Sequence, residues 1–279
     1  MRHVTSEMIE TSVADLMERA NYCLRDDVEQ ALAEAQTREE STAGQGLLNA
    51  LRENSRIART GDYPLCQDTG TAVVFVELGR DVKITGDLYG AINRGVARAT
   101  RRGYLRASMV ADPLRRENTK DNTPAIIHLD SVAGSAIRLY VMPKGAGSEN
   151  MSRLWMLLPG EGVSGVKRVV LETLTMGGSS ACPPLVVGIG LGGSFDSVPL
   201  LAKRALMRPL NSPNDAPHLA TLESDLLDAI NALGIGPGGL GGRVTALSVA
   251  IEAAPCHIAS LPVAVNLGCH AMRGREAVL

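Results

Sequence analysis

Three cysteines of this chain sit where regular structure should break. They occur in PLCQDTG (Cys66), SSACPPLVVG (Cys182) and VNLGCHAMR (Cys269), each beside proline or glycine. Turns of this kind take a thiol out of a helix or strand and point it into a shared space. Three such thiols, far apart in sequence, suit a soft metal centre better than a lone nucleophile, which needs one cysteine and a base. Unrelated buried cysteines would look the same, so their neighbours matter. Cys256, in PCHIAS, is a fourth candidate. Four thiolates would close an iron–sulfur cluster for electron transfer, whereas three would leave one iron open to a substrate. Cys23, in NYCLRD, has no turn residue beside it and reads as a small core residue. The five cysteines are an odd number, widely spaced and without CxxC. Neither a disulfide framework nor a zinc finger is expected.

The polar residues near these thiols favour the open cluster. Asp68, two residues after Cys66, can act as acid or base or orient one. Arg106, in YLRASMVADPLRRENTKDNTPA, can hold a carboxylate as a fork, although a lone arginine is more often a surface ion pair. His257 follows a proline and a cysteine, a poor setting for a simple core residue; a satisfied buried histidine is the equal alternative. KGAGSENMS (Lys144–Ser152) is a turn whose backbone N–H groups could receive a carboxylate, or a plain loop after a strand. Gly188, Gly190 and Gly193 match GxGxxG between a strand and a helix. The acidic strand end that would confirm a dinucleotide site is replaced by the proline-rich loop RPLNSPNDAP, so nucleotide binding is not expected.

These residues need a scaffold. Apolar periodicity predicts helices over 5–37, 43–58 (with Ser41 and Thr42 as caps), 86–102, 160–176, 195–207 and 217–233. TAVVFVELG and ACPPLVVGIGLGGS read as strands. NTPAIIHLDSV and SAIRLYVMPK read as a hairpin, and two short apolar strands close the chain. Without regular βαβ alternation the expected class is α+β: mixed sheets flanked by helices, in a single large domain with a cluster-binding cleft. That domain is expected to span 1–279, with N-terminal helices over 1–60 and the cluster-binding region over 61–279. A 45% hydrophobic composition suits a globular chain, with only 3% aromatics to fill its core. The net charge of −2, with both signs mixed, predicts no nucleic-acid groove and no membrane-binding face. The polar N-terminus carries no signal-like apolar run and no long apolar segment follows, so a cytoplasmic protein is expected.

The segments CQDTG, LRASMVADPLRRENTKDNTPA, KGAGSEN, ACPPLVVGIGLGG, LGIGPGGLGG and PCHIASLPVAVNLGCHA, taken in order, resemble the α subunit of the class I iron–sulfur hydro-lyases. This is the fumarate hydratase and tartrate dehydratase family. The resemblance implies a [4Fe–4S] cluster held by Cys66, Cys182 and Cys269, with Cys256 outside the ligand set. It implies Asp68 and His257 as catalytic residues, and Gln67, Arg106 and Gly147 as contacts to a C4 dicarboxylate. Ala146 stands where the fumarase pattern has a further glycine. The reaction implied is reversible hydration of fumarate to L-malate in the tricarboxylic acid cycle; L-tartrate dehydration and mesaconate hydration are the alternatives. The one-chain enzymes continue into a C-terminal domain, so a separate β subunit and an α2β2 assembly are expected. Rival readings are an iron–sulfur redox protein using all four turn cysteines and a non-catalytic assembly subunit.

Overall fold

The computed structural model describes residues 2–279. In chain order the elements are β1 (Arg2–Thr5), α1 (Ser6–Tyr22), α2 (Asp26–Arg38), α3 (Thr42–Arg59), β2 (Thr71–Gly79), β3 (Val82–Thr85) and α4 (Leu88–Arg102). Then come β4 (Ile126–Val132), β5 (Ile137–Lys144), α5 (Ala146–Glu149), β6 (Arg153–Leu157) and α6 (Gly162–Gly177). The chain ends with β7 (Leu185–Gly193), α7 (Val198–Ala205), α8 (Pro217–Ala232), β8 (Ala246–Cys256), β9 (Leu261–Gly268) and β10 (Arg275–Val278). The class is the expected mixture of helices with mixed sheets. Two compact units share it: Met1–Arg25 with Ser55–Ala146 and Arg273–Leu279, and Asp26–Asn54 with Gly147–Met272.

In the first unit the sheet order is β10-β5-β2-β4. β2 is flanked on both sides, parallel to β4 and antiparallel to β5. Ala72, Val74 and Val76 share a core with Val13 and Met17 of α1 and Ile92 and Val96 of α4, and Val73 and Phe75 on the other face are buried too, so the run Ala72–Val76 shows no polar alternation. The central place of β2 also corrects the expected hairpin: β4 and β5 do not pair with each other, because β2 lies between them. The single helix expected over 5–37 is two. α1 stops at Cys23, whose backbone turns extended (φ −129°, ψ 123°). Arg275 Nη2 donates to the Cys23 and Leu24 carbonyls at 3.1 and 2.8 Å, occupying acceptors that a continuing helix would have used. α2 then starts afresh on Asp26, Asp27 and Glu29, the charge favoured at a helix N-terminus.

In the second unit the sheet order is β6-β9-β7-β8, with β7 parallel to β8 and antiparallel to β9. Leu185, Val187 and Ile189 of β7 share a core with Val166, Val169 and Val170 of α6 and with Leu222, Leu226 and Ile230 of α8. The opposite face of β7 carries Gly188 and Gly190 against α7. A Cβ on either would come within 2.2 Å of a backbone oxygen, Ala202 O or Val198 O. The first two glycines of GxGxxG therefore serve to pack a helix flush onto a strand, while Gly193 turns the chain at φ +68°. Ser41 caps α3 as expected, its Oγ accepting from Gly44 N at 3.0 Å.

Candidate active site

Cys66, Gln67 and Asp68 lie in the loop between α3 and β2, in the first unit; Gln67 is exposed and the other two are half-buried. The Asp68 carboxylate is fixed from three sides. Oδ1 accepts from Gly70 N at 2.9 Å and from Ser108 Oγ at 3.3 Å, and Oδ2 accepts from Ala146 N at 2.9 Å. Gly70 is required by this loop: its φ is +77°, and a Cβ there would stand 2.5 Å from the Lys144 backbone. The result is a carboxylate with a defined direction, as acid–base work requires.

Arg106 stands two residues before Ser108, exposed, and forms no ion pair among the described residues. Its loop is held by Asn122, which is fully buried with φ +63°. Asn122 Oδ1 accepts from Ser108 N at 2.8 Å, and Nδ2 donates to Gly70 O at 3.0 Å. Four of the five non-glycine residues with positive φ, Tyr104, Arg116, Lys120 and Asn122, fall in this one loop. Such strain collects where a fold must present groups in a set geometry. Sequence reasoning passed over Asn122, Arg273 and Asn21. Of these only Asn122 had a local signal, its tolerance of left-handed backbone.

The fifth such residue is Cys182, at φ 60° and ψ 66°, separated from β7 by Pro183 and Pro184. Cys269 follows β9. Because β7 and β9 run antiparallel, with Val186 opposite Gly268, the two thiol-bearing turns meet at one end of the sheet. The Cys182 carbonyl accepts from His270 N at 3.2 Å, and His270 Nδ1 also lies 3.2 Å from it. Cys182 is exposed, Cys269 is half-buried, and neither is in a disulfide. Gly147, in α5, is exposed with nothing within 4 Å of where a Cβ would stand, so a ligand can approach its backbone.

Cys256 and His257 stand at the other end of the same sheet. Cys256 pairs with Gly193, the last residue of β7, so β7 separates this corner from Cys182 by roughly 25–30 Å at a strand's usual rise. The structure does not bring His257 to the Cys182–Cys269 corner of its own chain. His257 Nδ1 accepts from Ala259 N at 3.1 Å, so the neutral ring carries its proton on Nε2. Cys256 Sγ donates to Ser260 O at 3.4 Å. This corner opens on a largely apolar groove of about 570 Å³ lined by Val163, Val166, Leu219, Leu222 and Ile258.

Among the described residues, no three His, Cys, Asp or Glu side chains converge on a point that would suit a single metal ion. The donor set nevertheless fits a sulfur-rich iron centre. Two cysteines outside any disulfide, Cys182 exposed on a left-handed turn and Cys269 half-buried, lie at one sheet end, and thiolates are the ligands such centres take.

The chain belongs to the fumarate hydratase (fumerase) family, whose model matches residues 10–278. It is 44% identical over 268 residues to the putative L(+)-tartrate dehydratase subunit alpha of Methanocaldococcus jannaschii, covering 94% of each chain. It is 31% identical over 264 residues to the L(+)-tartrate dehydratase subunit alpha of Escherichia coli strain K12, covering 94% of this chain and 87% of that one. The chain is thus a member of a hydro-lyase family of α-subunit type. No helix among the described residues is long and apolar enough to cross a membrane.

Proposed function

We propose that this chain is the α subunit of an iron–sulfur hydro-lyase that removes water from a 2-hydroxy C4 dicarboxylate, with L(+)-tartrate as the favoured substrate. The observation that carries the reading is Asp68, held by Gly70, Ser108 and Ala146 two residues from a turn-borne thiol. The names of the relatives favour tartrate. Fumarate–malate interconversion is the second reading, supported by the likeness of KGAGSEN and CHIASLPVAVN to fumarases.

Cys66, Cys182 and Cys269 would hold a [4Fe–4S] cluster. When bound, it supplies a Lewis acid that makes the substrate hydroxyl a better leaving group. As the C–O bond breaks, Asp68 would pass a proton to the departing hydroxyl so that it leaves as water, with both carboxyl oxygens already directed by donors. Arg106, with no ion pair among the described residues, clamps a substrate carboxylate through two N–H groups. Gln67 and the backbone at Gly147 orient the other end. The base for the carbon-bound proton is assigned to a β subunit, as the relatives' α-subunit names suggest. A substrate near Cys182 and Cys269 is out of reach of His257 of the same chain, so the part of His257 falls to a second α chain in an α2β2 assembly.

The test is anaerobic reconstitution of the co-expressed α and β subunits, assayed with L-tartrate, L-malate and fumarate. Oxaloacetate formation from L-tartrate, with kcat/KM at least tenfold above that for malate, supports the reading. The reverse preference moves it to fumarase. A fully loaded enzyme that turns over none of them overturns it.

A further inference from the structure

We infer that Arg273, acting with Asn21, is a clamp that positions the Cys66–Asp68 segment; its catalytic meaning, though not its geometry, rests on the reading of Asp68 given above. Arg273 is among the largest fully buried side chains, at 2% exposure, and forms no ion pair among the described residues. A guanidinium in that position is costly unless its donors are used. Nη1 donates to Asn21 Oδ1 at 2.7 Å and Nη2 to the Asp68 carbonyl at 3.0 Å, while Nε finds no partner among the described residues. Filling this volume with leucine or methionine would avoid the cost, so space-filling alone does not account for an arginine here.

Asn21 gives the arrangement its reach. It is fully buried in α1, where its Nδ2 donates to the Met17 carbonyl at 2.9 Å, which locks its side chain. Its own carbonyl accepts from Leu65 N at 2.8 Å. Asn21 thus holds Leu65 directly and Asp68 through Arg273. Between these two anchors lie only Cys66 and Gln67. The clamp therefore brackets all three side chains the proposed reaction takes from this loop. Arginine suits the task because its planar fork holds two acceptors in fixed relative positions, which a lysine ammonium does not. Arg273 touches the Asp68 main chain, so it acts through that residue's direction and is a positioning residue.

Amide hydrogen exchange on the full chain tests this without cluster or substrate. In Arg273→Gln, exchange at the Gly70 and Ala146 amides, the two that donate to the Asp68 carboxylate, should rise at least tenfold. Exchange at Val74 and Val76 in β2 should stay within twofold. Arg273→Lys and Asn21→Ala cover the case in which the glutamine variant does not fold, and should give the same local pattern at smaller amplitude. Wild-type exchange at Gly70 and Ala146 in both, or equal loss throughout β2, overturns the clamp. In the assembled enzyme Arg273→Lys should lower kcat at least tenfold with KM within threefold. An enzyme inert toward every C4 dicarboxylate would sink the catalytic reading while leaving the exchange result to decide the clamp.

Discussion

At the scale of single residues, the cysteines divide by what their backbones do. Cys182 occupies a left-handed conformation that costs a non-glycine residue about 1–2 kcal/mol, and its turn is tied to that of Cys269 through His270. Cys256 ends a strand and spends its S–H on the Ser260 carbonyl. The two classes should separate on measurement. Cys182→Ser and Cys269→Ser are expected to lose at least tenfold in iron and sulfide per chain after anaerobic reconstitution, while Cys256→Ser binds as the wild type does. Equal loss in all three would restore the four-thiolate redox reading.

At the scale of elements, glycine position decides how closely they approach. Gly188 lies under α7 with no room for a methyl group, whereas Gly147 faces open space. Gly188→Ala should therefore destabilise the second unit by about 1–3 kcal/mol in chemical denaturation, the usual cost of overpacking. Gly147→Ala should leave stability within about 0.5 kcal/mol, the range of exposed substitutions, so any loss of activity there would belong to the site. Glu39 ties the α2–α3 corner to the loop before β8, at 1% exposure. Burial raises its pKa, but hydrogen bonds from Ser41, Val244 and Arg243 outweigh burial and leave it lowered. A carboxylate lowered on folding adds stability above its unfolded pKa, and that contribution is lost as pH falls through the folded value. Glu39→Gln should lower stability at neutral pH by about 1–3 kcal/mol and flatten its acid dependence below about pH 4.5. An unchanged acid limb would show that Glu39 carries none of it.

At the scale of the whole molecule, strand order sets which side chains can share one substrate. Cys182 and Cys269 meet because β7 and β9 are antiparallel neighbours, and His257 is carried to the opposite end because β8 runs parallel to β7. Complementation between two α chains tests the assembly this implies. His257→Ala and Asp68→Asn should each inactivate the enzyme with the fold retained. A random one-to-one mixture of the two variants should recover about a quarter of wild-type activity, because about half of the two-fold assemblies then hold one chain of each kind and each of these has one intact site of two. No recovery from cluster-loaded mixtures would mean that His257 serves no neighbouring site.

The sequence by itself determined the features that depend on near neighbours. Turn residues around Cys66, Cys182 and Cys269 marked the breaks, apolar runs marked β2 and β7, and Ser41 marked the start of α3, because caps, turns and periodicity are short-range preferences. Asp68 could be singled out beside its cysteine, but its three donors come from residues 70, 108 and 146. Only the tertiary structure decided the insertion of β2 between β4 and β5, the break after α1, the Asn21–Arg273 pair 252 residues apart, and the place of His257. Strand partners and buried polar pairs are chosen by which surfaces exclude water together, a property of the folded chain that no local window of sequence contains.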